Sequence, residues 1–204
     1  MQITQSSSHF DITLYRQSDK TKNHQKMETK IFKIDPSKST IEWVGKKVTG
    51  AHNGTIDIAD GTLSLTDGKL AGGKFTINTA SIRILDITDL NTNAQFAGHL
   101  ASEDFFGIEK YPTATLEIIS VSQGLNNTYH VDGILTIKGI SHPIEFDADV
   151  SNIQGDTLQA SGKLVVDRTQ YGMRFRSGSF FKDLGDTLIY NDFTLNVRLN
   201  AKAA

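Results

Sequence analysis

Cysteine is absent from this chain of 204 residues, which excludes disulfides, thiol nucleophiles and cysteine-ligated zinc together and leaves the redox compartment open. A surplus of one charge is missing too: 21 Lys and Arg stand against 23 Asp and Glu, for a formal net charge of −2. Such a balance gives no electrostatic drive toward nucleic acid or an anionic membrane surface. No apolar run approaches the roughly 18 residues from which a spanning helix is read, so no stable membrane insertion is expected. The histidines, His9, His24, His52, His99, His130 and His142, show neither HxH nor HExxH spacing, and no dedicated metal site is expected. There is no GxSxG elbow, and "GKKVTGAHNG" lacks the GxxxxGK(S/T) order of a phosphate loop. No cofactor is implied. What remains is ordinary for a soluble globular domain, with 22% charged and 38% hydrophobic residues and enough length to bury a sizeable core.

The stretch "MQITQSSSHFDITLYRQSDKTKNHQK" has scattered apolar residues, a polar and basic second half, and no apolar run of signal-peptide length. Residues 1–29 are expected to form a flexible extension, with Met27 as an alternative natural start, and residues 30–204 the folded domain. The rival reading is a short extra strand in "FDITLY", where Phe10, Ile12 and Leu14 alternate. As written, the chain carries no export leader and reads as cytoplasmic.

Beyond residue 30 the hydrophobic period is 2 almost throughout. Phe75 and Ile77 share a face in "GGKFTIN", as do Leu116 and Ile118 in "TATLEIISV" and Val131, Gly133, Leu135 and Ile137 in "YHVDGILTIKG". Ile144, Phe146, Ala148 and Val150 alternate with Glu145, Asp147, Asp149 and Ser151, and Leu158 to Val166 repeat the pattern. The last segment aligns Ile189, Phe193, Leu195, Val197 and Leu199, broken on that face only by Asn191. Half-buried strands of this kind indicate antiparallel sheet. Turn signals lie between them in "DGKLAGG", "QGLNN", "QGD" and "LGD". Long strands in a meander, with no second layer, favour closure, which removes exposed edges. The expected fold is all-β: an antiparallel up-and-down, lipocalin-like barrel of about eight long strands, with a sandwich as the alternative.

One region breaks the period. Thr88 to Phe106 fits short helices, with Phe96, His99 and Leu100 at i, i+3 and i+4. Ser102 can N-cap a second turn holding Glu103 and Asp104, stopped by Gly107 before Tyr111-Pro112 restores extended chain. A helical insertion near 91–107 in a barrel meander is expected to cover an open end as a lid. The competing reading makes His99, Glu103 and Asp104 an acid–base site, joined in space by His52. His99 and Glu103 are, however, i, i+4 neighbours, which ordinarily support a helix or its packing.

These segments together resemble the YceI-like family of lipocalin-like polyisoprenoid-binding barrels over about residues 31–199. "IDPSKSTIEW" resembles its opening strand, and "GAHNGTIDIADGTLSL" and "LAGGKFTINTASIRILD" its next hairpins. "HLASEDFFGIEKYPTATLEI" resembles its most diagnostic run, "VDGILTIKGISHPIEF" its following strand pair, and "VDRTQYGMRF" its D-R-x-x-(F/Y)-G turn. The final strand with "LGDTLIYNDFTLNV" is similar as well.

The resemblance implies a non-catalytic protein that binds, sequesters or transports an isoprenoid lipid, a polyprenyl or quinone-type tail, in an elongated apolar channel. It implies wall residues Trp43, Phe75, Ile77, Leu116, Ile118, Val131, Leu135, Phe146 and Leu164. It places Phe96, Phe105 and Phe106 in the lid, with His52 and His99 as polar contacts. It also allows a homodimer, and many relatives look exported. Alternation alone leaves each wall residue equally readable as ordinary core. Two further functions stand beside binding: an enzyme acting on the lipid's head group through His52 and His99, and a filled-core structural or stress-related barrel. Asp167-Arg168 reads as a turn-fixing ion pair, and Arg174 and Arg176 as a rim.

Overall fold

The computed structural model describes residues 27–204. The expected amino-terminal extension, with its "FDITLY" alternation, falls outside the described residues up to position 26. The strands are β1 (Thr29–Ile34), β2 (Thr40–Lys47), β3 (Gly50–Thr66), β4 (Lys69–Ile84), β5 (Thr113–Gln123), β6 (Thr128–Ile137), β7 (Ile140–Gln154), β8 (Thr157–Asp167) and β9 (Ile189–Ala203). A single α-helix among the described residues, α1 (Leu90–Ala101), sits between β4 and β5.

All pairings are antiparallel and run around a closed circuit, in which β1 and β2 both pair with β3 and with β9. These two short strands therefore share one position. Ile41 of β2 faces Ile56 of β3, and Phe32 of β1 faces Leu63 further along the same strand. A 3-10 turn at Pro36–Lys38 divides them, its N-terminus capped by the Asp35 side chain, which accepts from the Ser37 N–H. The result is an up-and-down barrel with eight positions, as the alternation predicts. β3 and β4 reach 17 and 16 residues, and each bends at register shifts that give the sheet its curl.

The hairpins between consecutive strands sort into two ends. Connections at 48–49, 85–112, 138–139 and 168–188 lie at one end; those at 67–68, 124–127 and 155–156 lie at the other. Asp67-Gly68 and Lys138-Gly139 have positive φ at both residues, the geometry of the tight turn that matches strand twist. Gly72 and Gly73, which the sequence suggests as part of a turn, belong instead to β4. A Cβ on Gly73 would lie 2.9 Å from Leu63 Cδ2, so this glycine makes room across the hairpin.

The core is densest toward the narrow-turn end. Phe32, Val131, Val150 and Leu158 are each 2% exposed or less, and they come from β1, β6, β7 and β8 near those turns. At the opposite end, the two long connections fold inward and enclose empty space.

Candidate functional site

That space is a cavity of about 560 Å³ at the end of the barrel covered by α1 and by the 168–188 connection. Ile41, Trp43, Ile56, Ile77, Ile82, Ala114, Leu135, Ile137, Phe193 and Leu195 form its walls. Phe96, His99, Leu100, Phe105 and Phe106 contribute from the lid segment, and Met173, Phe175 and Arg176 from the 168–188 connection. Polar groups gather toward the rim, where Lys46, Lys47, His52, Asp186, Tyr190 and Asp192 appear. An apolar body with a few polar groups is the chemistry of a site that takes a hydrophobic molecule by burial and orients it by its edge.

Helix α1 sits where it does through a short set of ties. Asp89 caps it, accepting from the Thr92 N–H at 2.8 Å and the Thr92 hydroxyl at 2.7 Å. The Asn93 amide donates to the carbonyls of Ile84 at 3.1 Å and Ile87 at 2.9 Å, binding the first turn to the end of β4. Phe96, His99 and Leu100 then face the cavity, as their spacing predicts. Ser102 behaves differently from the sequence expectation. It ends α1 rather than starting a second helix: its N–H bonds to the Gly98 and His99 carbonyls, and its hydroxyl donates to His99 O at 2.7 Å. The segment after it turns back, with Phe106 N–H donating to Leu100 O at 3.1 Å, and this drives Phe105 into the core.

Both cavity histidines are held by carboxylates. His52 Nδ1 lies 2.7 Å from Asp86 Oδ2, and the other Asp86 oxygen accepts from the Asn53 N–H at 3.0 Å. Burial works to raise the Asp86 pKa, but the Asn53 N–H and His52 outweigh it and hold the carboxyl below its ordinary value. The His52 ring packs on Phe96 at 4.8 Å, so one side chain links β3, the approach to the lid and the lid itself. His99 packs edge-on against Phe105 at 5.0 Å and Phe175 at 4.5 Å, and its Nε2 is 3.2 Å from Asp104 Oδ2. The acid partner is Asp104, not the i+4 Glu103, because the chain leaves the helix at Ser102.

Arg168 is the second correction. It does not stand as an ion pair closing a turn with Asp167. Asp167 caps the following 3-10 turn, accepting from the Thr169 N–H and hydroxyl. The Arg168 guanidinium, 4% exposed, donates to the carbonyls of Met173 at 2.5 Å, Ile189 at 3.0 Å and Tyr190 at 3.1 Å. Burial pushes its pKa down from the ordinary arginine value, partly offset by Asp167. It also lies over the Phe105 ring at 5.9 Å, so it joins β9, the 168–188 connection and the lid.

Of the residues proposed for the ligand, Trp43, His52, Ile77, Phe96, His99, Phe105, Phe106 and Leu135 line the cavity together. Phe75, Val131 and Leu164 are on the inner face but packed in the core, at 6%, 0% and 4% exposure, while Leu116, Ile118 and Phe146 pack half-buried against it. Alternation assigns a side chain to a face and not to a depth, and here only one end of the barrel is hollow. Missed were the contributions of the 168–188 connection and of β9. Their signal is present in the aromatic and apolar content of "YGMRFRSGSFF", which is too rich for a solvated loop. Trp43 carries a further feature: its Nε1–H is buried without a hydrogen-bond partner among the described residues.

A separate cluster stands on the outer face of the β6–β7 hairpin. Cross-strand pairing sets His130 opposite Asp147 and Asp132 opposite Glu145. His130, Asp132 and Glu145 bring ligand atoms within 4.8 Å of one another, a spacing that could hold a divalent cation and that no linear motif displays. The His130 imidazole is already engaged, 3.1 Å from Asp147, and this hydrogen bond first, then Asp132, Asp147 and Glu145 by charge, raises its pKa against a small opposing effect of burial.

A closed antiparallel barrel with a lidded apolar cavity at one end defines the lipocalin-like class of architecture. Within it the chain belongs to the YceI-like domain family, whose profile matches residues 32–201. It is 34% identical over 123 residues to Protein YceI of Escherichia coli O17:K52:H18, covering 55% of this chain and 60% of that one. It is 32% identical over 98 residues to a UPF0312 protein of Pseudomonas putida F1, covering 47% of each. These matches span about half to three-fifths of the relatives' length. Among solved structures, Burkholderia cenocepacia BcnA superposes with a TM-score of 0.68 at 24% identity, over 83% of this chain and 99% of that one. A polyisoprenoid binding domain from Saccharophagus degradans, implicated in plant cell wall breakdown, superposes with a TM-score of 0.61 at 13% identity, over 85% and 98%. At these identities the structural likeness is one of fold.

Proposed function

We propose that the cavity binds the tail of an isoprenoid lipid, of polyprenyl or quinone type, and that the protein sequesters or carries it without chemical change. The observation that carries this reading is the 560 Å³ lidded cavity with its aromatic and aliphatic walls. Its size falls within the range of about 300–1,000 Å³ typical of small-molecule sites. Each methylene moved from water into it contributes on the order of 0.8 kcal/mol, so a branched hydrocarbon chain needs no polar recognition to be retained. The description of the Saccharophagus degradans neighbour as a polyisoprenoid binding domain supports the same ligand class. The open cavity argues against a filled-core role. The ties of His52 to Asp86 and His99 to Asp104 argue for latches rather than an acid–base pair.

Native mass spectrometry of the purified protein, followed by organic extraction and lipid identification, tests the proposal. A stoichiometric prenyl or quinone species supports it. An empty protein that refuses added isoprenoids of several lengths overturns it. Trp43 is the sole tryptophan and lines the cavity, so titration of the empty protein is read from its fluorescence alone. The His52→Gln/His99→Gln variant separates binding from catalysis: it is expected to retain the extracted lipid, whereas an enzyme would stop turning over its substrate.

A further inference from the structure

The cavity end of the barrel differs from the opposite end on its outside as well as its inside. Exposed apolar side chains concentrate in its connections: Val48 at 48%, Leu85 at 60%, Leu90 at 84%, Phe180 at 48% and Phe181 at 50% exposure. At the narrow-turn end the exposed large apolar residues near the strand ends are Met27 and Leu125.

The adjacent Phe180 and Phe181 are held rather than loose, for both backbone N–H groups donate to Ser177 O at 3.0 Å. Ser177 is itself fully buried, its hydroxyl donating to Asn191 Oδ1 of β9 at 2.7 Å. The loop is joined to the β2–β3 hairpin tip, where the Val48 N–H donates to Leu188 O at 3.1 Å.

Cations border these apolar tips. The Arg174 guanidinium stacks over Phe180 at 4.7 Å, and Arg176 over Phe175 at 5.1 Å. Lys46 and Lys47 stand beside Val48 on the hairpin, and Lys182 follows Phe181. Against these five the same two segments carry only Asp183 and Asp186. The near-neutral charge of the whole chain, which gives no expectation of an anionic partner, conceals this local excess. Lys46, Lys47 and Arg176 also line the cavity, so the patch and the mouth are continuous.

We propose that this end of the barrel docks on an anionic bilayer surface, with Val48, Phe180 and Phe181 entering the headgroup layer and the surrounding lysines and arginines lying over lipid phosphates. Aromatic tips with basic neighbours combine two weak signals into one reversible attachment. The choice of a bilayer over a protein rests on the proposed cargo: a prenyl lipid resides in a membrane, and a mouth pressed to the surface lets the tail pass without crossing water.

Flotation of the full chain with vesicles of phosphatidylcholine alone, and of phosphatidylcholine mixed with phosphatidylglycerol, tests the docking. Neither contains an isoprenoid, so the result is independent of cargo. The protein is expected to float with the mixed vesicles, less so as salt rises, and weakly with phosphatidylcholine. Replacing both Phe180→Ser and Phe181→Ser is expected to weaken vesicle affinity about tenfold or more while leaving the extracted lipid unchanged, since neither ring lines the cavity. Arg174→Glu with Lys182→Glu, at two exposed positions, is expected to abolish the preference for phosphatidylglycerol. Failure of the wild-type protein to float with mixed vesicles overturns the docking surface, as does full retention by both variants. A protein that floats normally yet never holds a prenyl lipid leaves the docking in place and removes the cargo proposal instead.

Discussion

Gly54 shows how one missing side chain can set the shape of the site. It lies opposite Trp43 in the β2–β3 pairing, and a Cβ there would come within 1.7 Å of the Arg83 carbonyl oxygen and 2.7 Å of the indole ring. Backbone cannot yield by that much. Gly54→Ala is therefore expected to cost about 3 kcal/mol or more, read as a lowered denaturant midpoint, and to shift the Trp43 emission. An unchanged midpoint would mean that β3 and β4 are further apart here than described. His130 offers a test on the outer face. Its folded pKa is raised, so the hydrogen bond to Asp147 contributes fully below the unfolded value of 6.5 and is lost as pH climbs through the higher folded value. NMR titration of the imidazole should give a midpoint above 6.5, and Asp147→Asn should lower it. A midpoint at or below 6.5 in the wild-type protein would contradict the arrangement.

The lid and the strands differ in how they are held, and so in what can loosen them. β-strand pairing fixes the wall, whereas α1 is attached by Asn93, by the Asp86–His52 tie and by aromatic contacts. Asp86 has a lowered folded pKa, so its contribution is present above the ordinary value of 3.8 and is lost as pH falls through the folded value. Hydrogen exchange at the α1 amides should accelerate in that acid range while β6 and β8 remain protected. Asp86→Asn should produce the same selective loosening at neutral pH, and uniform loosening of lid and wall would show that they open as one unit. The elements differ equally in legibility. Period 2 fixed the strand faces because each strand has one wet side, and Phe96, His99 and Leu100 announced the helix. Ser102 deceived, since serine suits either end of a helix and the later Phe105 burial decides which. Asn191, the apparent breach in the last strand, is explained only by Ser177 and Ser179, to which it bonds across the 168–188 connection.

At the scale of the whole molecule the question is why one barrel is solid at one end and hollow at the other. The sequence announces closure, because a meander of long strands has no other way to hide its edges. It does not announce depth, which depends on how inward residues of eight positions meet across the axis. Phe32, Val131, Val150 and Leu158 meet and fill the space at one end. At the other, Ala114 stands where a larger residue would extend into the cavity. Ala114 is 7% exposed and pairs with Ile77, another wall residue. Ala114→Phe therefore tests whether the hollow is functional or incidental. A phenyl ring directed into empty apolar space gains burial, and the strain of overpacking is limited by the room available, so stability is expected to change by no more than about 1 kcal/mol. The extractable lipid, by contrast, should disappear. Thermal unfolding and lipid extraction on the same preparation read both quantities. Retention of a full complement of lipid by a folded Ala114→Phe protein would place the bound molecule somewhere other than this cavity, and the lid would then need another purpose.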